Sequence, residues 1–305
     1  MKLSQLRHLV AVAEAGTVRQ AAKNLNLSQS SVTKSIQQLE AELGVALLIR
    51  GSHGVTPTPA GLVLIGRAKA IEAELRHARN DIDAVQGAKS GEIRVSASPS
   101  VAMLLLPKAI GAFRRARPLV SFAIEEGVYP DVLPALRRGE LDFAICLVPE
   151  APRDDELVFE TLVKDRLVPA VRADHPLTRK GRLTLADLLD RDWVVYRRTR
   201  TGRDVVEQTF RANKLAPPAR TLECASFAGA LALVEQGDFI TLVPTQLFAE
   251  RPRRPALVPL KLDSPMPPWN VAAISRARHF LSPVCQAFLD ELHRTAQKIK
   301  TSAGR

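Results

Sequence analysis

Three helical patterns crowd into the stretch from Leu3 to Leu43 with only a glycine and a tetrapeptide between them, and so little connecting chain forces the helices to cross closely. Leu3, Leu6, Leu9, Val10 and Ala13 recur at helical spacing and Gly16 stops that helix. Thr17 can cap a second helix, Val18 to Leu25, in which Ala21 and Ala22 are small enough for another helix to approach. Leu25-Asn26-Leu27-Ser28 turns the chain, and Ser28 sits at the N-cap position of a third helix running to about Leu43, with Val32, Ile36, Leu39 and Leu43 as its buried stripe.

The opposite face of that third helix offers Gln29, Ser30, Ser31, Thr33, Lys34 and Gln37, short or amide-bearing side chains gathered in the first turns. A solvated polar face would read the same on one helix alone. The succession of helix, glycine, small-residue helix, turn and capped polar helix instead implies a recognition helix for double-stranded DNA. A glutamine amide pairs with an adenine edge, hydroxyls serve base or phosphate, and a lysine takes guanine or phosphate in the major groove. After Gly44, two apolar runs flank the turn Gly51-Ser52-His53-Gly54, a hairpin wing with Arg50 and His53 at its tip beside the phosphates. Thr58-Pro59 then opens a helix to about Gln86.

On that helix Leu64, Ala68, Ile71, Leu75, Ala78, Ile82 and Val85 follow one another at spacings of 4, 3, 4, 3, 4 and 3. A heptad seam on a helix about 42 Å long calls for a partner helix, so the sequence predicts a homodimer reading a DNA site of two half-sites.

The run LRHLVAVAEAGTVRQAAKNLNLSQSSVTKSIQQLEAELGVALLIRGSHGVTPTPAG resembles the N-terminal domain of LysR-type transcriptional regulators. The resemblance puts Gln29, Ser30, Thr33 and Lys34 at DNA-contacting positions and Arg50 and His53 on the wing. Two positions depart from the family: proline is common where Ser30 stands, and arginine where His53 stands. The resemblance also implies dimers pairing into a homotetramer, contact with RNA polymerase and control by a small-molecule effector.

From Gly91 the pattern changes to alternating strands and helices, GEIRVSAS, LLLPKAIGAFRRA, FAIEEG, PDVLPALRRG and ELDFAICLV, an α/β arrangement with a largely parallel sheet. A second series begins at Val163, and the chain closes with WNVAAIS and the helix SPVCQAFLDELHRTAQKIK. The order resembles the regulatory half of the same family, two lobes of the periplasmic-binding-protein type joined by two crossing strands. The fold class expected is therefore α+β and α/β multidomain: a winged helix-turn-helix (1–61), a linker helix (58–88) and a two-lobed α/β domain (91–305). Lobe 1 is placed at 91–162 and 268–300, lobe 2 at 163–267.

A cleft between lobes is the natural ligand site. Ser96 to Ser100 follows one strand and precedes a helix, and hydroxyls, amides and a helix dipole together favour a carboxylate or sulfonate. The resemblance makes Ser98 and Ser100, flanking Pro99, the leading effector contacts, with Gly127, Val128 and Tyr129 at the next strand end. From lobe 2 it brings Thr199, Thr201, Gly202, Ser226 and Phe227 to the same cleft.

Other functions fit less well. No GxSxG elbow, P-loop, dinucleotide turn or HExxH is present, and the six histidines form no catalytic or metal cluster, so neither catalytic residues, metal nor cofactor is expected. His175, in the phrase DHPL, is read as structural. A redox-sensing regulator on the same fold is the alternative. Cys146 and Cys285 lie in buried-looking apolar patterns, however, and Cys224 follows acidic Glu223. The dispersed cysteines and the lack of an apolar run of about 18 residues suit a cytoplasmic protein without a membrane partner. A net charge of +11 suits a polyanion, yet residues 1–90 hold only 11 Lys and Arg against 7 Asp and Glu, so pattern rather than charge locates the DNA contact.

Overall fold

The computed structural model describes every residue except 52–53, 86–89, 197–202, 249–255, 264–265, 278–280 and 304–305, and for 83–85 and 300–303 the backbone alone. The chain divides into two compact units, Met1–Arg79 with Arg138–Glu140, and Asn80–Arg137 with Leu141–Arg305.

In the first unit α1 (Leu3–Ala15), α2 (Val18–Asn24) and α3 (Gln29–Leu43) form the close-packed trio. Gly16, at φ 68°, ends α1 in a left-handed turn that a residue with a Cβ adopts only at a cost. Thr17 accepts from the Gln20 N–H at 3.2 Å and Ser28 from the Ser31 N–H at 3.1 Å, caps worth about 1 kcal/mol each. Leu9, Val12, Ala21, Ala22, Val32, Ile36 and Leu39 make the core. Leu43, expected to end the buried stripe, is 42% exposed; the chain turns back at Gly44 and Leu47, at 1%, completes the cluster instead.

β1 (Leu48–Gly51) and β2 (Gly54–Pro57) pair antiparallel, Leu48 opposite Pro57 and Gly51 opposite Gly54. Helix α4 (Pro59–Val85) starts on this hairpin. The Thr58 N–H donates to the Leu47 carbonyl at 2.9 Å and its hydroxyl to the Ala46 carbonyl at 2.8 Å, while the Thr58 Oγ1 accepts from the Gly61 N–H at 3.0 Å. Gly61 lies so close that a Cβ there would stand 2.0 Å from the Leu47 carbonyl oxygen.

The heptad seam requires correction at its start. Ala68 is fully buried and packs with Leu64 and Ile65 against Leu6 and Val10 of α1, so these first seam positions serve the unit's own core. Ion pairs Arg7–Glu72 (3.1 Å) and Lys69–Glu14 (2.8 Å) flank that contact. Ile71, Leu75, Ala78 and Ile82 remain as an exposed row, and the Val85 side chain lies outside the described residues.

The second unit runs β3 (Gly91–Ala97), α5 (Pro99–Met103), α6 (Leu105–Ala116), β4 (Val120–Glu126), α7 (Leu133–Arg137), β5 (Phe143–Pro149) and β6 (Leu157–Val163). It continues through β7 (Leu167–Arg172), β8 (Asp192–Tyr196), α8 (Arg203–Ala212), β9 (Thr221–Cys224), α9 (Phe227–Gln236), β10 (Phe239–Pro244) and β11 (Leu257–Pro259). β12 (Trp269–Arg276) and α10 (Pro283–Ala303) close it. One sheet has the order β4-β3-β5-β12-β6 and the other β11-β7-β10-β8-β9.

Helices cover both faces of the first sheet, which is why β5 reads as an unbroken apolar run rather than an alternating one. Phe143 and Ile145 face α6 and α10 through Phe113, Phe288 and Leu292, while Ala144 and Cys146 face Leu133 and Leu136 of α7. Each fully buried leucine or phenylalanine contributes about 1.5–3 kcal/mol.

Both sheets are mixed rather than largely parallel. β12 runs antiparallel to β5 and β6, and β7 antiparallel to β10 and β11. The cause is the crossing. β6 runs parallel to β5 and hands the chain to the other lobe at its C-terminal end, so β7 enters lobe 2 from the cleft side and must run away from it. β12 enters lobe 1 in the same way on the return. In lobe 2, His175 behaves as a buried structural histidine: its Nδ1 accepts from the Leu177 N–H at 3.1 Å, and burial pushes its pKa down.

Candidate functional site

On α3, the side chains of Gln29, Ser30, Ser31, Lys34 and Gln37 are exposed and Thr33 is half-buried. The Ser28 hydroxyl lies 3.0 Å from that of Ser30 and 2.7 Å from that of Ser31, so both serines are drawn into the helix cap. Gln29 and Lys34 have no side-chain partner among the described residues. Arg50 is exposed on β1 opposite Val55, and His53 lies outside the described residues.

Two supports of this face carried no signal in the sequence pattern. Glu40, on α3, accepts from the Leu47 and Leu48 amides at 2.7 and 3.2 Å, which ties the hairpin directly to the recognition helix. His8 Nδ1 meets the Ser35 hydroxyl at 2.7 Å, holding α1 to α3, and burial lowers the His8 pKa.

In the second unit a narrow cleft opens between the lobes, about 670 Å³ of empty space with open solvent counted in. Ser98, Pro99, Ser100, Val128 and Leu147 line it from lobe 1. Leu167, Val194, Val206, Phe227, Ala230, Thr241, Leu242 and Pro244 are among those that line it from lobe 2. The strand ends of β3, β8 and β10 converge here, as the geometry of α/β sheets requires. The walls are mostly apolar, with Tyr196 and Thr241 among them, and no described lining residue carries a charge. Within them the hydroxyls of Ser98 and Ser100 are buried without a hydrogen-bond partner. Such a group costs roughly 1–3 kcal/mol unless something accepts from it or donates to it.

Of the other cleft residues expected from sequence, Gly127 and Tyr129 do not line the space. Tyr129 is turned into the lobe 1 core, its ring 6.2 Å from that of Phe159, because the strand end that presents Val128 to the cleft points its next side chain inward. Ser226 caps α9, accepting from the Gly229 N–H at 3.1 Å, and only its neighbour Phe227 reaches the cleft. Thr199, Thr201 and Gly202, with the arginines around them, lie outside the described residues. The dipole argument for an anion also weakens, since α5 has only five residues and begins at Pro99, which has no N–H.

All three cysteines are free. Burial pushes the Cys146 thiol up to about 12, and it donates to the Gly127 carbonyl at 3.6 Å; Cys285 is buried and the Cys224 thiol donates to the Ser226 carbonyl at 3.3 Å. A peroxide sensor needs an accessible thiolate, and Cys146 is the opposite. Among the described residues no group of histidines, cysteines and carboxylates is arranged to hold a metal, and no helix is long and apolar enough to cross a membrane.

Residues 3–62 match the family described as bacterial regulatory helix-turn-helix protein, lysR family, and residues 86–297 match the LysR substrate binding domain. The chain belongs to the LysR family. This is a family of DNA-binding transcriptional regulators and not of enzymes, and the two matches fall on the three-helix unit and the two-lobed unit in turn. The regulator is 33% identical to the SDS degradation transcriptional activation protein of Pseudomonas sp. (strain ATCC 19151), across 96% of this chain and 97% of that one. It is 28% identical to the transcriptional dual regulator GltC of Bacillus subtilis (strain 168), across 95% and 96%. Among solved structures it resembles CbnR, a LysR family transcriptional regulator, with a TM-score of 0.71 and 25% identity over 97% of this chain and 99% of that one. The winged helix-turn-helix, the long helix and the mixed α/β lobes are thus the LysR fold.

Proposed function

We propose that this regulator binds promoter DNA as a symmetric assembly and that a small molecule in the lobe cleft controls its output. Gln29 and Lys34 read bases or phosphates in the major groove, helped by Ser30, Ser31, Thr33 and Gln37, and Arg50 and His53 of the wing hold the backbone. CbnR in complex with its target DNA, a structure of TM-score 0.70 to this chain, supports that orientation of function.

The row Ile71, Leu75, Ala78 and Ile82, continued by Val85, forms the dimer seam. Leu75 and Ile82 stand 37% and 57% exposed in the single chain, surface that a partner helix would bury. Substituting both by glutamate places like charges across the seam. Sedimentation velocity should then show monomer where the parent chain sediments as a dimer or tetramer; an unchanged distribution would put the interface elsewhere.

The observation that carries the effector reading is the pair of buried, unpartnered hydroxyls at Ser98 and Ser100 in a mostly apolar cleft with no charged residue among its described lining. They suit a head group rich in acceptors, a carboxylate or sulfonate, with an apolar body lying along Val128, Leu147, Val206 and Phe227. Closing the lobes on that molecule would alter the relation between dimers on the promoter and hence contact with RNA polymerase. A thermal-shift screen of aromatic and aliphatic carboxylates and sulfonates, each beside its neutral amide, tests this. A ligand at 100 times its dissociation constant adds about 2.7 kcal/mol of stability. The acids are expected to raise the midpoint and Ser98→Ala with Ser100→Ala to abolish the rise. Equal stabilisation by the amides would remove the anion from the reading, and no response to any member would remove the class.

A further inference from the structure

The two segments that join the lobes meet at Asp165. Its carbonyl accepts from the Trp269 N–H at 3.0 Å, its own N–H reaches Asn270 Oδ1 at 3.4 Å, and Arg166 and Pro268 form a bridge beside it, so both crossing strands are tied through this one residue. The side chain turns the other way, to the end of β10. Oδ1 accepts from the Arg166 N–H at 2.7 Å, the Thr245 N–H at 3.0 Å and the Thr245 hydroxyl, and Oδ2 from the Gln246 N–H at 3.5 Å.

This carboxylate is buried, at 8% exposure, and no ion pair holds it among the described residues. Neutral donors alone hold it, and burial raises its pKa against their pull. A nonpolar or uncharged residue would be cheaper to bury here, so stability does not explain the aspartate. Position does: Leu167, two residues on, and Pro244, one residue before Thr245, are both cleft-wall residues.

We propose that Asp165 is a positioning residue for the cleft, a hinge clamp whose carboxylate sets how lobe 2 presents Leu167 and Pro244 to lobe 1 and so sets effector affinity without touching the effector. The affinity half of this rests on the effector reading of the cleft; the clamp half does not. Asp165→Asn keeps the shape and one acceptor but removes the charge that gathers four donors. Thr245→Val removes one donor and leaves the carboxylate.

The test uses the full chain, hydrogen exchange read by mass spectrometry, and anilinonaphthalene sulfonate as a fluorescent probe with a sulfonate head and an apolar body. In Asp165→Asn the Gln246 amide, which has no other acceptor among the described residues, should exchange at least tenfold faster, while the Thr245 amide keeps its bond to the Arg166 carbonyl; probe affinity should change about tenfold, with the thermal midpoint unchanged or raised. Thr245→Val should shift both readouts in the same direction and less. A fall of affinity and midpoint together would mean a merely structural residue and overturns the proposal, as does unaltered exchange. If Ser98→Ala leaves probe binding to the parent chain unaltered, the effector reading fails for this probe class, and the exchange result still decides whether Asp165 is a clamp.

Discussion

Replacing Lys34 and Gln29 together with alanine is expected to lower affinity for the operator by roughly 100-fold or more while leaving the thermal midpoint and the cleft's ligand response where they were. Each base or phosphate contact of this kind is worth about 1–3 kcal/mol. Both side chains are exposed and unengaged among the described residues, and alanine favours helix, so folding loses little. The operator would be obtained by selecting duplexes from a random pool with the parent protein, and affinity read by fluorescence anisotropy at several salt concentrations. If Lys34 holds a phosphate, its single substitution lowers the salt slope by about 1 at every sequence; if it holds guanine, sequence preference relaxes at one position. Parent-like binding by the double variant would show that α3 does not read DNA through these residues.

Gly61→Ala should damage the same unit from its other side. The added methyl would meet the Leu47 carbonyl, a backbone atom already engaged by the Thr58 N–H, so α4 must lift from the hairpin or the hairpin must yield. A cost on the order of 3 kcal/mol is expected for such overpacking. Calorimetry should show the DNA-binding unit melting early, with operator binding lost and effector response kept. Gly111→Ala is the control: a Cβ in the middle of α6 meets nothing within 4 Å, and alanine should add about 0.5–1 kcal/mol there. Coincident melting of Gly61→Ala and the parent chain would refute the close approach.

Both sites differ in how far they could be read from sequence. The caps at Thr17 and Ser28, the stop at Gly16 and the start at Thr58-Pro59 are local chemistry, and local chemistry survives in one dimension. That Lys34 and Gln29 share an exposed face was legible because a capped helix fixes which side chains lie together. Ala68 was misjudged because a heptad repeat says which residues line up and not what meets them, and α1 meets the first ones. Tyr129 fell to a similar limit: a strand end is visible as a pattern, but the side to which each residue turns depends on the sheet that receives it.

Thr241, Leu242 and Val206 could not have been picked out as cleft residues. Leu242 and Val206 are ordinary apolar positions of β10 and α8 and Thr241 a buried threonine of β10, and the place of each is decided by the lobe opposite. Asp165 was hidden for a different reason, since it stands between the charged residues Lys164 and Arg166 with no apolar pattern to mark it as buried. Its partners beyond Arg166 come from segments far away in the chain, Thr245 and Gln246 after β10 and Trp269 and Asn270 of β12. The direction of β7 and β12 was likewise missed, because alternation of strand and helix carries no sign of where the chain crosses between lobes.

The route of β12 has a consequence for how the protein is made. Its strand lies between β5 and β6, pairing with both, yet it is translated more than a hundred residues after either. Until it emerges from the ribosome, β5 and β6 each present an open edge, and the apolar face that α10 will cover lies bare. Lobe 2, whose strands all lie between β7 and β11, has every strand of its own sheet earlier, so the lobe begun first is the one finished last. A chain interrupted between Pro259 and Trp269 would therefore lose the lobe that carries Ser98 and Ser100 while keeping the strands of the other. Nascent lobe 1, with two unpaired edges, is the natural client for a holding chaperone.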